Sequence, residues 1–140
     1  MSEIKSKEDC IFCKIVKGEI PSYKIYEDEY TYAFLDIAGD VEGHTLVIPK
    51  NHSENLFDVS ESDLSHIMNS VKKVACHFKR VFCEGVNIVN CSDKSAEQSV
   101  FHLHFHIYPR KTNDGIRVCP DIKKSEIDFS KIADLLKIKD

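Results

Sequence analysis

Two rhythms run along this chain. Apolar residues recur at every second position in several short stretches, and at every third or fourth position between residues 60 and 83. Side chains alternate across a strand and return to one helix face every 3 or 4 residues, so the rhythms separate strands from helix. They predict strands at residues 23–26, 31–37, 44–49, 86–90 and 100–108. Glu27-Asp28-Glu29 makes the first turn, residues 38–43 form a loop with two glycines and two acids, and Pro49 closes the third strand. Ser60, three residues before Asp63, caps the long helix. Its stripe runs through Leu64, Ile67, Met68, Val71, Val74, Ala75, Phe78, Val81 and Phe82, and Gly85 ends it. A short helix over residues 10–17 is expected between a cap at Asp9 and a stop at Gly18. Ser125 or Asp128 caps a last helix through Ile127, Ile132, Leu135, Leu136 and Ile138.

Strands joined by tight turns, then a helix and a second strand pair, give an α+β fold. The expectation is a five-stranded antiparallel sheet with one long and one or two short helices, packed on one side. Residues 1–8 read as a solvated, disordered tail, 9–110 as one domain, and 111–140 as a C-terminal extension with a helix.

The fifth strand is unusual. Within Gln98-Ser99-Val100-Phe101-His102-Leu103-His104-Phe105-His106-Ile107-Tyr108-Pro109 a histidine recurs at every second position. His102, His104 and His106 would share one face with rings about 7 Å apart, while Leu103, Phe105 and Ile107 bury the other. Aligned imidazoles point to a metal site or to a nucleophile with helpers.

Composition narrows the choice. A net charge of −4 over 140 residues argues against a nucleic-acid binder, which needs a basic face, but leaves room for a local anion site. No apolar run approaches the roughly 20 residues that span a bilayer, so no membrane partner is expected. The polar start lacks a secretory pattern, and the expected location is cytoplasmic, or shared between cytoplasm and nucleus. There the six cysteines should be reduced, with Cys76, Cys83 and Cys91 as buried fillers.

Cys10-x-x-Cys13 has the spacing of a metal pair or of a redox pair. His52 and one histidine of the fifth strand are candidates to complete a zinc set. Asp36, at a strand end, is placed to accept from ribose hydroxyls, and Asn90 to donate to an anion. His44 gains interest if its strand neighbours the histidine strand; His66 and His77, on the long helix, carry no visible role. A catalytic histidine works with one bare nitrogen and a partner fixing the proton on the other. Attack on phosphorus would give a phosphoimidazole, with Ser99, His106, Asn90 and backbone groups as donors to the developing charge.

Three motifs together resemble the histidine triad family: His102-x-His104-x-His106 after Gln98-Ser99-Val100, Gly43-His44-Thr45-Leu46-Val47-Ile48-Pro49-Lys50-x-His52, and Cys10-Ile11-Phe12-Cys13-Lys14-Ile15 before Gly18-Glu19-Ile20-Pro21. Phe34-Leu35-Asp36-Ile37 fits as well. The resemblance implies a homodimer with a continuous ten-stranded sheet, and a purine nucleotide ligand of the AMP or GMP type. It implies hydrolysis of nucleoside 5′-phosphoramidates at the α-phosphate through a nucleotidyl-histidine. His104 resembles the nucleophile and His106 the group that contacts phosphate and assists departure. His102 and His44 would orient and tune them. Asn90, Gln98 and Ser99 would touch phosphate or leaving group, Asp36 the ribose, and Ile11, Phe12, Ile15, Phe34, Leu35 and Ile37 the base. The cysteine-bearing branch implies structural zinc on Cys10, Cys13, His52 and His102.

Two features pull against that picture. His102 cannot use one nitrogen both for zinc and for catalysis. Glu97 stands where the family usually has glycine, and its carboxylate would repel a phosphate unless turned outward. The alternatives are a dinucleoside polyphosphate hydrolase or nucleotidyl transferase, a nucleotide-binding module with little turnover, and a zinc hydrolase that uses the triad as ligands.

Overall fold

A computed structural model describes residues 3–139 of the chain. The elements run α1 (Ile11–Val16), β1 (Lys24–Glu27), β2 (Thr31–Leu35), β3 (Thr45–Pro49), α2 (Glu61–Val81), β4 (Gly85–Val89), β5 (Phe105–Arg110) and α3 (Phe129–Leu136). The five strands form one antiparallel sheet in the order β1-β2-β3-β5-β4. This is the five-stranded α+β fold expected, with differences that bear on the site.

The helices do not share one side. β2 is buried at four of its five positions and β3 at all five, which requires cover on both faces. On one face Ala33, Val47, Phe105 and Ile107 pack with Ile67, Val71, Val74 and Phe78 of α2. On the other Tyr32, Phe34, Leu46 and Ile48 pack with Phe12, Cys13 and Ile15 of α1. The apolar runs 31–35 and 45–49 carried this information, and α1 was too short to assert it.

Ser60 caps α2 as expected, accepting from Asp63 N at 3.0 Å. α1 is capped by Cys10 rather than Asp9: the Cys10 sulfur accepts from Cys13 N at 3.4 Å. The helix unwinds at Gly18, whose φ of +79° suits glycine. Gly85 opens β4 instead of ending α2, and Asp128 caps α3. Cys83 is buried, but Cys76 is exposed and no core filler.

The fifth strand begins at Phe105, not at residue 100. Ahead of it the chain leaves the ladder, and Leu103 N donates to Ser53 O at 2.8 Å. Side-chain alternation survives, with Leu103 in the α2 core and His102 and His104 buried on the opposite side. The segment before α1 keeps its side chains exposed, yet its backbone is held: Lys5 N donates to Asn51 Oδ1 at 2.8 Å, and His52 N to Lys5 O at 2.7 Å. Residues 1 and 2 of the expected tail lie outside the described residues. In the extension every described residue of α3 is exposed.

Candidate active site

His104 lies just before β5, and its surroundings settle its tautomer. Its Nδ1 is 2.7 Å from the His102 carbonyl, which can only accept, so Nδ1 carries the proton and Nε2 keeps a free lone pair. Burial holds its pKa below the ordinary histidine value, although the carbonyl works against that. The Phe12 edge meets the ring at 5.3 Å between centroids. The Asn90 amide donates to the His104 carbonyl at 3.0 Å and accepts from Ser92 Oγ at 2.8 Å. Asn90 thus grips the backbone of His104; both ends of its side chain are occupied.

His44 is the residue just before β3, and His106 lies in the neighbouring β5. Leu46 of β3 pairs with His106 of β5, which brings His44, two residues earlier, within reach. His44 Nε2 and His106 Nδ1 lie 2.9 Å apart, and His44 Nδ1 is 2.9 Å from Asp40 Oδ1. Partial burial opposes the charge on Asp40, but the His44 ring and the Val41 N–H hold its carboxyl below the usual range. An ionised carboxylate only accepts, so His44 Nδ1 donates to it and a neutral His44 accepts from His106 Nδ1 through Nε2. Burial, then the charges of His104 and His44, push His106 down to about 4. Gly43 before His44 has a φ of +83°, and a Cβ there would lie 3.0 Å from the Phe82 ring and 3.1 Å from Pro109. A side chain there would strain the backbone and crowd both rings.

A mainly apolar cleft of about 570 Å³ reaches this site through Phe12, whose ring meets His104, and Asp36, near His44; the histidines themselves do not line it. Ile11, Phe12 and Ile15 of α1, with Phe34, Leu35, Asp36 and Ile37 at the end of β2, line it. All seven were expected from the sequence. Ile20, Pro21, Ser22, Tyr23, Leu46 and Val100 also line it and were missed. Leu46 was findable, because it pairs with Phe34 across β2 and β3. Asp36 Oδ1 accepts from Ala38 N at 2.8 Å, while Oδ2 lies 3.8 Å from His44 Nδ1.

A second cluster sits behind the first. His102 Nε2 donates to the Pro49 carbonyl at 2.9 Å, which leaves its Nδ1 bare. That nitrogen is 3.4 Å from Cys10 Sγ, 3.5 Å from Cys13 Sγ and 3.2 Å from His52 Nδ1, and Cys13 Sγ is 3.4 Å from His52 Nδ1. A tetrahedral zinc with ordinary bond lengths puts its nitrogens about 3.3 Å apart and nitrogen and sulfur about 3.6 Å apart. The four donors fit that shell, with the carbonyl-bound far nitrogen that a metal-ligating histidine normally has. Burial lowers His102 to about 4 and raises Cys10, so the bare Nδ1 of a neutral His102 faces the two sulfurs and His52 Nδ1. His102 therefore reaches His104 through its backbone carbonyl, not its ring.

The remaining expected residues lie apart from the cleft. The Gln98 amide donates to Glu54 O at 2.6 Å and Val100 O at 3.0 Å, and its carbonyl accepts from Asp93 N at 2.8 Å. It braces the loop. Ser99 is exposed and lines a shallow groove with Lys7, Asp9 and Phe101. Glu97 is exposed, with a φ of +67°. Two site residues were overlooked. Tyr108 stacks on His44 at 4.0 Å between centroids and continues the alternation of the histidines, so its signal was present. Asp40 sits in an aperiodic loop, where nothing in the pattern marks it.

Comparison with known proteins finds matches over most of the chain. The HIT domain family matches residues 17–113. An adenosine 5′-monophosphoramidase of Saccharomyces cerevisiae is 41% identical over 129 residues, covering 91% of this chain and 78% of that protein. The crystal structure of a protein from Streptococcus mutans UA159 superposes with a TM-score of 0.83 at 40% identity, covering 93% of this chain and 82% of that one. A Zn-bound histidine triad family protein from Mycobacterium smegmatis superposes at 0.75 with 36% identity, covering 82% and 84% of the two chains.

Proposed function

The chain belongs to the HIT domain family, and from that premise we propose that it hydrolyses purine nucleoside 5′-phosphoramidates to the nucleoside monophosphate. The nucleotidyl group would pass transiently to His104 Nε2. One observation carries this reading: the His102 carbonyl fixes the proton of His104 on Nδ1, which leaves a nucleophilic nitrogen beside an apolar cleft. The base lies in the slot of Ile11, Phe12, Ile15, Phe34, Leu35 and Ile37, and Asp36 receives the ribose hydroxyls. His106 faces the phosphate, tied to His44. The activity carried in the name of the yeast relative supports the substrate class.

Zinc on Cys10, Cys13, His52 and His102 belongs to the same proposal as a structural ion. The donor geometry and the Zn-bound relative support it. The ion would brace the segment leading into His104. The dimer is proposed through the free edge of β4, where Ile88 is part-exposed, extending the sheet to ten strands. No described helix is long and apolar enough to cross a membrane, and we place the protein in the cytoplasm or in both cytoplasm and nucleus. Glu97, the residue that favours a binding module without turnover, is exposed.

The test is turnover of adenosine 5′-phosphoramidate by wild type and His104→Ala. Wild type should release AMP, and the variant should lose on the order of a thousandfold or more in kcat, as loss of a covalent nucleophile does. Equal rates would end the reading. Diadenosine polyphosphates run beside the phosphoramidate rank the leaving groups.

A further inference from the structure

His44 is held between partners on opposite sides of its ring, His106 on Nε2 and Asp40 on Nδ1, each at 2.9 Å. Asp36, His44 and His106 also bring donor atoms near one another in the manner of a metal site. A cation there would compete for a His44 nitrogen that already has a partner. The arrangement is instead a line of proton donors and acceptors running from loop to cleft. We propose that Asp40 is a positioning residue for the reaction: its carboxylate fixes the His44 tautomer and lets the His44–His106 pair take up and return the proton that hydrolysis moves. This rests on the hydrolytic reading above. Asp40 lies outside the segments that carry the family resemblance, between Phe34-Leu35-Asp36-Ile37 and Gly43-His44.

The steps balance as follows. Water attacks the phosphorus of a nucleotidyl group on His104; the P–O bond forms as the P–Nε2 bond breaks, and its electron pair returns to His104 Nε2. The water proton goes to His106 Nε2, the proton on His106 Nδ1 moves to His44 Nε2, and the positive charge left on His44 lies against Asp40. In the half-reaction before it the path runs in reverse and delivers a proton to the departing amine. His106 is held neutral to about 4, so it cannot store that proton alone near neutrality.

The other groups facing the pair are few. His104 lies 5.0 Å from His106 between centroids, and Tyr108 stacks on both rings from β5, with Cys91 beside it. From the loop after β2 comes Asp36, farther from His44 Nδ1 than Asp40 and bonded to Ala38 N. Asp40 is the one carboxylate in hydrogen-bond contact with His44 among the described residues.

The test is Asp40→Asn, which keeps the shape and removes the charge, with Glu42→Gln, exposed on the same loop, as the control. Proton and nitrogen NMR of the imidazoles needs no substrate. Wild type and Glu42→Gln should show a low-field, exchange-protected Nδ1–H for His44. Asp40→Asn should lose it, and the pair should bind its proton about one pH unit lower, as removal of an adjacent charge predicts. With phosphoramidate, kcat should fall roughly tenfold at little change in KM, and the basic limb of the pH profile should move to lower pH. The unfolding temperature should stay put. If Asp40→Asn keeps the resonance, the titration and the pH profile, the proposal is overturned. If wild type shows no turnover but the NMR changes appear, the hydrolytic reading fails while the hold of Asp40 on the pair is upheld.

Discussion

His102 and His104 are two residues apart and joined by a hydrogen bond, yet their rings live in different chemistry. The His102 ring is enclosed, with one nitrogen on the Pro49 carbonyl and the other facing Cys10, Cys13 and His52. The His104 ring has one nitrogen tied and one free beside the cleft. The same residue type on the same side of one extended segment is enclosed on both nitrogens or left with one open, according to what its second nitrogen faces. Burial lowers the pKa of both, so burial does not separate them. The count of bonded nitrogens does.

The two ends should therefore fail differently. His104→Ala should remove turnover and leave the fold in place. Cys10→Ser should do the reverse first, costing on the order of 3 kcal/mol of stability through weakened metal binding, with activity falling only as the fold does. Chemical unfolding with and without a strong chelator checks this: chelation should bring wild type down to the variant and leave the variant unmoved. Loss of turnover on chelation with an unchanged unfolding midpoint would reverse the roles and favour a zinc hydrolase.

Asn90 tests the boundary between the ends. It has no hydrogen bond to either cluster's rings among the described residues, but its amide holds the His104 carbonyl at 3.0 Å. Asn90→Ala should lower kcat about tenfold by loosening the nucleophile's backbone. Zinc content measured on the same preparation should match wild type. A drop in zinc instead would mean that the two ends are coupled more tightly than the geometry implies.

Much of this was legible in the sequence because it is periodic or spaced. The α2 stripe, the apolar runs of β2 and β3, and the alternation of the histidines are consequences of side-chain direction, which sequence spacing reports directly. The cysteine pair and seven of the thirteen residues lining the cleft were legible through motifs. The cap at Cys10 was hidden because a thiol is not an expected cap, and this one also belongs to the cysteine–histidine cluster. Asp40 was hidden because loops have no period. The early exit of the chain from the ladder was hidden too: Leu103 bonds Ser53, fifty residues away, and no local pattern announces such a partner.

The smallest expected effect lies in the loop that serves both ends. Glu97 has a φ of +67° and a ψ of 29°, the left-handed region, where an ordinary side chain costs about 1–2 kcal/mol. Its neighbour Gln98 braces the chain before His102 through Glu54 and Val100. A glycine at this position would suit the backbone conformation whatever the phosphate requires. Glu97→Gly should relieve the strain and lose part of the gain to the greater freedom of glycine when unfolded, netting roughly 0.5–1 kcal/mol. That is a rise of about 1–4 °C in unfolding temperature for a domain of this size, with kcat and KM unchanged. Glu97→Ala separates backbone from charge, because alanine drops the carboxylate but keeps the strain. Glycine alone should stabilise. If alanine stabilises equally, or if glycine raises kcat, the carboxylate itself matters at this position and backbone strain is the wrong account.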